Sequence, residues 1–329
     1  MRRGTTLRNR EGAPRVLGVR AARVMRAASE RDLGRRPCIA RRRGSNRLEK
    51  VLEKTSPLSL PRASKGVLRI VVGVLAIFGP LIAYRRLLWP LIEGALQPPE
   101  PWQVMVGRIG SLPVLIGGYV LFVRWYEKRR PTELALRPLP ILIAAVSGAA
   151  LISITIGVLY LTGNYVFEST RPWALALPII CTIVVAAVLE ELIFRGLVFR
   201  ILEEHVGTLP ALAVVSVLFG VMHLSNPGTT PFTLVSVSLC GALWCCVFIL
   251  TRNVWAAGLN HTAWNLAIFF SGIPLSGQEE WRQYAPVASH AQGPTWLTGG
   301  TFGPEDSIIN ICILAVVVLT LLHGQRQRS

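Results

Sequence analysis

Eight stretches of the chain are apolar over a length that suits a transmembrane helix. They lie near residues 67–88, 103–125, 138–162, 172–203, 207–225, 230–251, 253–271 and 306–323. A helix needs roughly 20 apolar residues to cross the hydrocarbon core, where its own hydrogen bonds must satisfy its backbone. The pattern predicts an all-α fold: a polytopic transmembrane helical bundle of about eight spans. The first stretch is the least clean, because Arg69, Arg85 and Arg86 enter or flank it.

The polar positions between these stretches predict an orientation. Lys and Arg gather in loops on the cytoplasmic side of a membrane. Basic residues precede the first stretch, follow the second (Arg124 to Arg137), follow the fourth (Arg195, Arg200), follow the sixth (Arg252) and follow the eighth (Arg326, Arg328). With eight spans these five places share one side. The alternate loops are poor in positive charge, apart from Arg85, Arg86 and Arg108 around the first of them. Both termini are therefore expected in the cytoplasm, with the chain integral to a membrane, a bacterial inner (cell) membrane by expectation. The segment Gly272–Pro304 lies on the other side and carries Trp281, Tyr284 and Trp296, expected to serve as interfacial aromatics.

Composition agrees with a membrane protein: 51% of residues are hydrophobic and the mean hydropathy is +0.46. The net charge of +17 is uneven. Residues 1–66 hold 19 Lys and Arg against 5 Asp and Glu, so the excess belongs mainly to a tail. That tail has too little apolar sequence to offset chain entropy and reads as a disordered basic segment ahead of a helical domain at 67–329. A solvated tail, a contact for anionic lipid, a targeting segment and an over-extended start all fit it. No nucleic-acid reader module is visible, so no nucleic-acid partner is expected. Cys181, Cys240, Cys245, Cys246 and Cys312 sit in apolar runs without any C-x-x-C pair and read as packing residues.

Ionisable groups inside a span are costly, which makes each one a functional candidate. Glu190, Glu191 and Arg195 end the apolar run that starts at Trp173; His223, His261 and Asn265 lie in later runs. Val206-Gly207-Thr208 should turn a helical hairpin, with Gly207 ending one helix and Thr208 capping the next. Glu190 and His223 are nearly equidistant from that turn, so they share a depth, about 25 Å along the helices at ~1.5 Å per residue. His261 and Asn265 are four apart and share a helix face. They reach the same layer only if the turn at 206–208 projects further than the one near Asn253, or if the helices tilt. Arg195 is four residues after Glu191, the spacing of an intrahelical ion pair, which leaves Glu190 to face the interior as a candidate general base. Phe219, one turn before His223, should pack beside the site. Each residue alone has an ordinary structural explanation; their joint depth is what points to hydrolysis.

Glu-Glu-x-x-x-Arg (Glu190 to Arg195), Phe-x-x-x-His (Phe219 to His223) and His-x-x-x-Asn (His261 to Asn265), in this order, resemble the CAAX-protease and bacteriocin-processing (CPBP) family, which includes the Ras-converting CAAX endopeptidases. The resemblance covers roughly residues 130–271, with Arg130 to Leu136 similar to the family's lead-in. It implies an intramembrane glutamic endopeptidase acting on a membrane-associated protein or peptide. By that resemblance Glu190 and His223 activate a water, and His261 and Asn265 stabilise the oxyanion, with Glu191, Arg195 and Phe219 in support. No cofactor is expected. Zinc on the same residues is the rival mechanism, ranked second because no His-Glu-x-x-His occurs and an amide is an unusual zinc ligand. A non-catalytic immunity or scaffold protein of the same fold and a proton-coupled transporter are the other readings.

Overall fold

The structure, a computed structural model, describes residues 62–99 and 102–326. The tail reading for residues 1–66 thus lies outside the described residues, except that residues 62–66 form the start of the first helix. That helix, α1, is Arg62–Ala83, continued by Tyr84–Leu88 and Trp89–Leu96. α2 joins Trp102–Ile109, Ser111–Leu121 and Phe122–Tyr126. α3 is Pro138–Leu161, and α4 runs through Leu177–Glu191, Leu192–Phe199 and Arg200–Val206. α5 is Thr208–His223, α6 Thr233–Thr251, α7 Val254–Phe270 and α8 Ile308–Arg326.

These helices stand where the eight apolar stretches lie. Among the described residues six are long and apolar enough to cross a membrane. α5 and α7, with 16 and 17 residues, are shorter than the stretches 207–225 and 253–271 suggested. α7 is packed against α3, α4 and α6, with Ala256, Ala257, Trp264 and Ile268 fully buried. A helix enclosed by other helices need not match the bilayer in length. α3 and α7 touch backbone to backbone at Gly148, where a Cβ would lie 2.2 Å from the Asn260 carbonyl oxygen. Asn260 secures the contact by donating to the Ala144 carbonyl at 2.7 Å.

The charged loops gather at one end of the bundle. Arg69 pairs with Glu127 and Glu204, both at 2.6 Å; Arg200 reaches Glu127 at 2.7 Å; Arg252 reaches Glu203 at 2.5 Å. Arg129 bridges Glu127 and Glu133, and Glu133 also accepts a short hydrogen bond from the Tyr119 hydroxyl. Gly207 turns the hairpin with φ 83°, as its position suggested. Thr208 does not cap α5: its hydroxyl donates instead to Glu203 across the turn at 2.8 Å. At α7, Asn253 does cap, accepting from the Ala256 amide at 2.9 Å.

The other end is built by the two segments read as loops. Tyr165–Thr170 (β1) and Val287–Ala291 (β2) pair antiparallel, with a bulge between Phe167 and Ser169. These strands of six and five residues are too short to stand out in an apolar pattern. Asp306 pins the end of this segment to the start of α6, accepting from the hydroxyls of Thr230, Thr233 and Ser236.

Candidate active site

Glu190 and Glu191 end the α-helical part of α4, and the π-helical stretch Leu192–Phe199 follows at once. Such stretches recur at functional sites because they re-aim side chains and free carbonyls. Here the Gly196 carbonyl accepts from Tyr119 Oη and from Arg200 Nε, both at 2.9 Å.

Arg195, placed by its sequence position among the charges after the fourth span, is instead fully buried. Its Nη1 donates to Glu191 Oε1 at 2.8 Å, and its Nη2 to the Gly241 carbonyl on α6 at 2.7 Å. The rings of Phe219, Trp244 and Phe194 lie 5.0, 5.6 and 5.8 Å from its guanidinium carbon. A counter-charge, a carbonyl and three aromatic faces together make burial of this cation tolerable. Phe219 lies beside the site as expected, 4.6 Å ring to ring from His223.

Glu191 has a second partner that the spacing did not suggest. Its Oε1 accepts from His261 Nδ1 at 3.1 Å. The same imidazole stacks on Trp244 at 3.6 Å between centroids, and Trp244 is held by its Nε1 donating to Asn260 Oδ1 at 3.0 Å. His261 is thus fixed in its plane and along one edge, and its free edge turns to Glu190: Nε2 stands 4.0 Å from Glu190 Oε2. His261 on α7 therefore reaches the layer of Glu190. The Arg252–Glu203 ion pair ties the α6–α7 turn to the last turn of α4.

His223 closes α5, with Nδ1 against the Phe219 carbonyl at 2.8 Å. A carbonyl can only accept, so Nδ1 carries the hydrogen and Nε2 is left for other work. Glu190, His223, His261 and Asn265 all line one cavity of about 720 Å³. Its remaining wall is largely apolar and includes Ile70, Val74 and Phe78 of α1, and Ile193, Phe194 and Val198 of α4. Glu190 Oε2 and Asn265 Oδ1 are buried without a hydrogen-bond partner. Among the described residues no three His, Cys, Asp or Glu side chains converge as a metal-ligand group.

The segment after α7 also enters this cavity, which the motifs did not indicate. Ser276, Gln278, Trp281 and Glu305 are part of its wall. Glu305 is 4% exposed, and Ser276 holds its Oε2 through the backbone amide at 2.9 Å and the hydroxyl at 2.6 Å. Burial pushes the Glu305 carboxyl above its ordinary range, while the hydrogen bonds from Ser276 oppose that rise. A lone Glu in a Gly- and Pro-rich stretch gives no periodic signal; only the fold brings it here.

Residues 172–267 match the family described as Rce1-like, type II CAAX prenyl endopeptidase. This segment is similar to the Rce1-like family. It contains Glu190, Glu191, Arg195, Phe219, His223, His261 and Asn265, and the likeness to CAAX proteases carried by the three motifs holds over it. No curated protein and no solved structure matches the chain. With several helices long and apolar enough to span a bilayer, the chain is an integral membrane protein, and residues 172–267 carry its likeness to CAAX endopeptidases.

Proposed function

We propose that this protein is an intramembrane endopeptidase in which Glu190 and His223 activate a water against a peptide bond. The observation that carries the reading is the cavity itself. An acid with an unpartnered buried oxygen, two imidazoles and an amide, all from the segment similar to the Rce1-like family, face one space. Glu190 takes a proton from the water, which His223 Nε2 orients by accepting a hydrogen bond. The resulting hydroxide attacks the scissile carbonyl. The oxyanion then receives donors from His261 Nε2 and from the Asn265 amide. Donation from His261 Nε2 requires the imidazolium, and the Glu191 carboxylate beside Nδ1 supports that charge. Collapse of the intermediate returns the proton from Glu190 to the leaving amine, so atoms and charge balance.

The substrate is a membrane-associated protein or peptide, with a prenylated CAAX peptide as the first to try, since that is the substrate class in the family's description. We place the arginine-rich end of the bundle in the cytoplasm by the loop bias. The test is cleavage of a prenylated CAAX peptide in proteoliposomes by the wild type, Glu190→Gln and His223→Ala. Both variants should lose at least a hundred-fold in rate, within the general-base range of roughly 10²–10⁴, and remain folded in the membrane. Full activity in both would end the assignment. A chelator should leave the wild-type rate unchanged; loss that added zinc reverses would favour the metal mechanism.

A further inference from the structure

A second cavity, of about 340 Å³, lies between α1 and α2 and belongs to no part of the chemistry above. Arg85, Trp89 and Glu93 line it from α1, at successive i, i+4 positions of one helix face. Gln103, Gly107 and Arg108 line it from α2. Its floor is well packed: the Trp89 indole lies so close over Gly107 that a Cβ there would sit 2.7 Å from Trp89 Cε2. Neither guanidinium forms an ion pair with a described carboxylate, although Glu93 shares the pocket.

These arginines are also the ones that break the loop bias. α1 begins beside the ionic cluster at Arg69 and ends at Leu96, so Arg85 and Arg108 sit toward the opposite end of the bundle. The charges in the pocket are ordered along the two helices. Arg85 and Arg108 are farther along the chain from the α1–α2 connection, and Glu93 and Gln103 are nearer to it. Leu87, Leu88 and Leu91 around it are exposed on the outer face of α1, as lipid-facing residues are.

We propose that this pocket binds the headgroup of a zwitterionic phosphoethanolamine lipid. Arg85 and Arg108 take the phosphate, and Glu93 takes the ammonium that lies outward of it. The order of charges in the pocket matches the order in the headgroup of a lipid standing in the leaflet. A purely anionic headgroup would satisfy the arginines but leave Glu93 repelling it, so the carboxylate is the source of selectivity. Bidentate phosphate contacts suit arginine. The site also accounts for guanidinium groups on the side of the bundle where loop bias disfavours them.

The test uses the full chain in nanodiscs of phosphatidylethanolamine and phosphatidylglycerol with identical acyl chains, extracted into mild detergent, with the retained lipid counted by native mass spectrometry. Wild type should retain phosphatidylethanolamine in preference to phosphatidylglycerol. R85Q/R108Q should retain it roughly 30-fold less, at about 1 kcal/mol per basic residue near the surface. E93Q should keep the phosphate contact and lose the preference, so that the two lipids are retained equally. R85K/R108K should recover part of the retention, which separates charge from folding. Undiminished retention in R85Q/R108Q, or an unchanged lipid ratio in E93Q, overturns the proposal. So does displacement of the lipid by millimolar inorganic phosphate, which would mark a free-anion site instead.

Discussion

Glu191 has two partners, and a double replacement separates what each contributes. Removing Glu191 alone leaves the Arg195 guanidinium fully buried with the Gly241 carbonyl and aromatic faces but no counter-charge. Breaking one side of a buried pair costs about 3–5 kcal/mol. At about 2–4 °C per kcal/mol for a body of this size, the apparent Tm should fall by about 6–20 °C. Replacing both partners with apolar residues of similar volume removes the stranded charge, and such swaps are often neutral or stabilising. Glu191→Leu with Arg195→Met should therefore recover most of the lost Tm. With Cys38, Cys181 and Cys312 replaced by Ser, the free and buried Cys240, Cys245 and Cys246 let a thiol-reactive dye report unfolding in detergent. Activity should not recover with stability. His261 Nδ1 loses its acceptor, the imidazolium loses its supporting charge, and the peptidase rate should stay about 10²–10³-fold down, the size of one lost oxyanion donor. If the double variant regains both Tm and rate, Glu191 serves Arg195 alone and the account of His261 fails.

Two further outcomes test the frame around the site. Gly148→Ala should destabilise the bundle and cut activity, because the new methyl meets the Asn260 carbonyl at 2.2 Å on the helix that carries His261. Gly157→Ala on the same helix meets nothing within 4 Å and should be neutral or raise Tm, by up to about 1 kcal/mol of helix propensity. Glu305→Gln tests the buried acid through pH. A carboxyl raised by burial binds its proton more tightly folded than unfolded, so its favourable contribution is full below the ordinary 4.5 and is lost as pH rises through the folded value. The Tm of the wild type minus that of Glu305→Gln should therefore fall as pH rises from 4.5. A difference that is flat in pH, or that grows with it, contradicts the burial assigned to this group.

The helices were legible because lipid imposes a length and a composition on each of them, and the site was legible because charge inside such helices is rare. Glu190, His223, His261 and Asn265 could be named from those two facts, and the hairpin turn at Gly207 predicted that the first two share a depth. What the sequence could not disclose was contact between residues far apart in it. The spacing of Arg195 from Glu191 predicts their ion pair, but counting Arg195 with the basic residues after the fourth stretch does not disclose its burial, which the carbonyl of Gly241 and the rings of Phe219 and Trp244 mark. Trp244 read as one more apolar residue, yet it sets the plane of His261. Glu305 belongs to a segment whose course is fixed by β1–β2 pairing and by Asp306 on three hydroxyls, none of which leaves a periodic trace.

The distribution of unsatisfied groups carries one more consequence. A buried polar atom without a partner costs about 1–3 kcal/mol, and folded proteins keep few of them. Among the described residues, Glu190 Oε2, Glu191 Oε2, Arg195 Nε and Asn265 Oδ1 are such atoms within the proposed site, and Ser238 Oγ, Thr262 Oγ1 and Trp264 Nε1 are such atoms outside it. Of these, Glu190 and Asn265 line the cavity, and in the mechanism above both act on atoms of the reaction. Asn265→Leu, close to isosteric, removes an unpaired amide from the cavity wall. If the amide is retained for catalysis against stability, this variant should be the more stable protein, with apparent Tm up by about 2–12 °C. Its cleavage rate should fall about 10²–10³-fold. A fall in Tm together with the rate would mean that Asn265 holds the fold through contacts the cavity does not reveal, and the oxyanion role would lose its support.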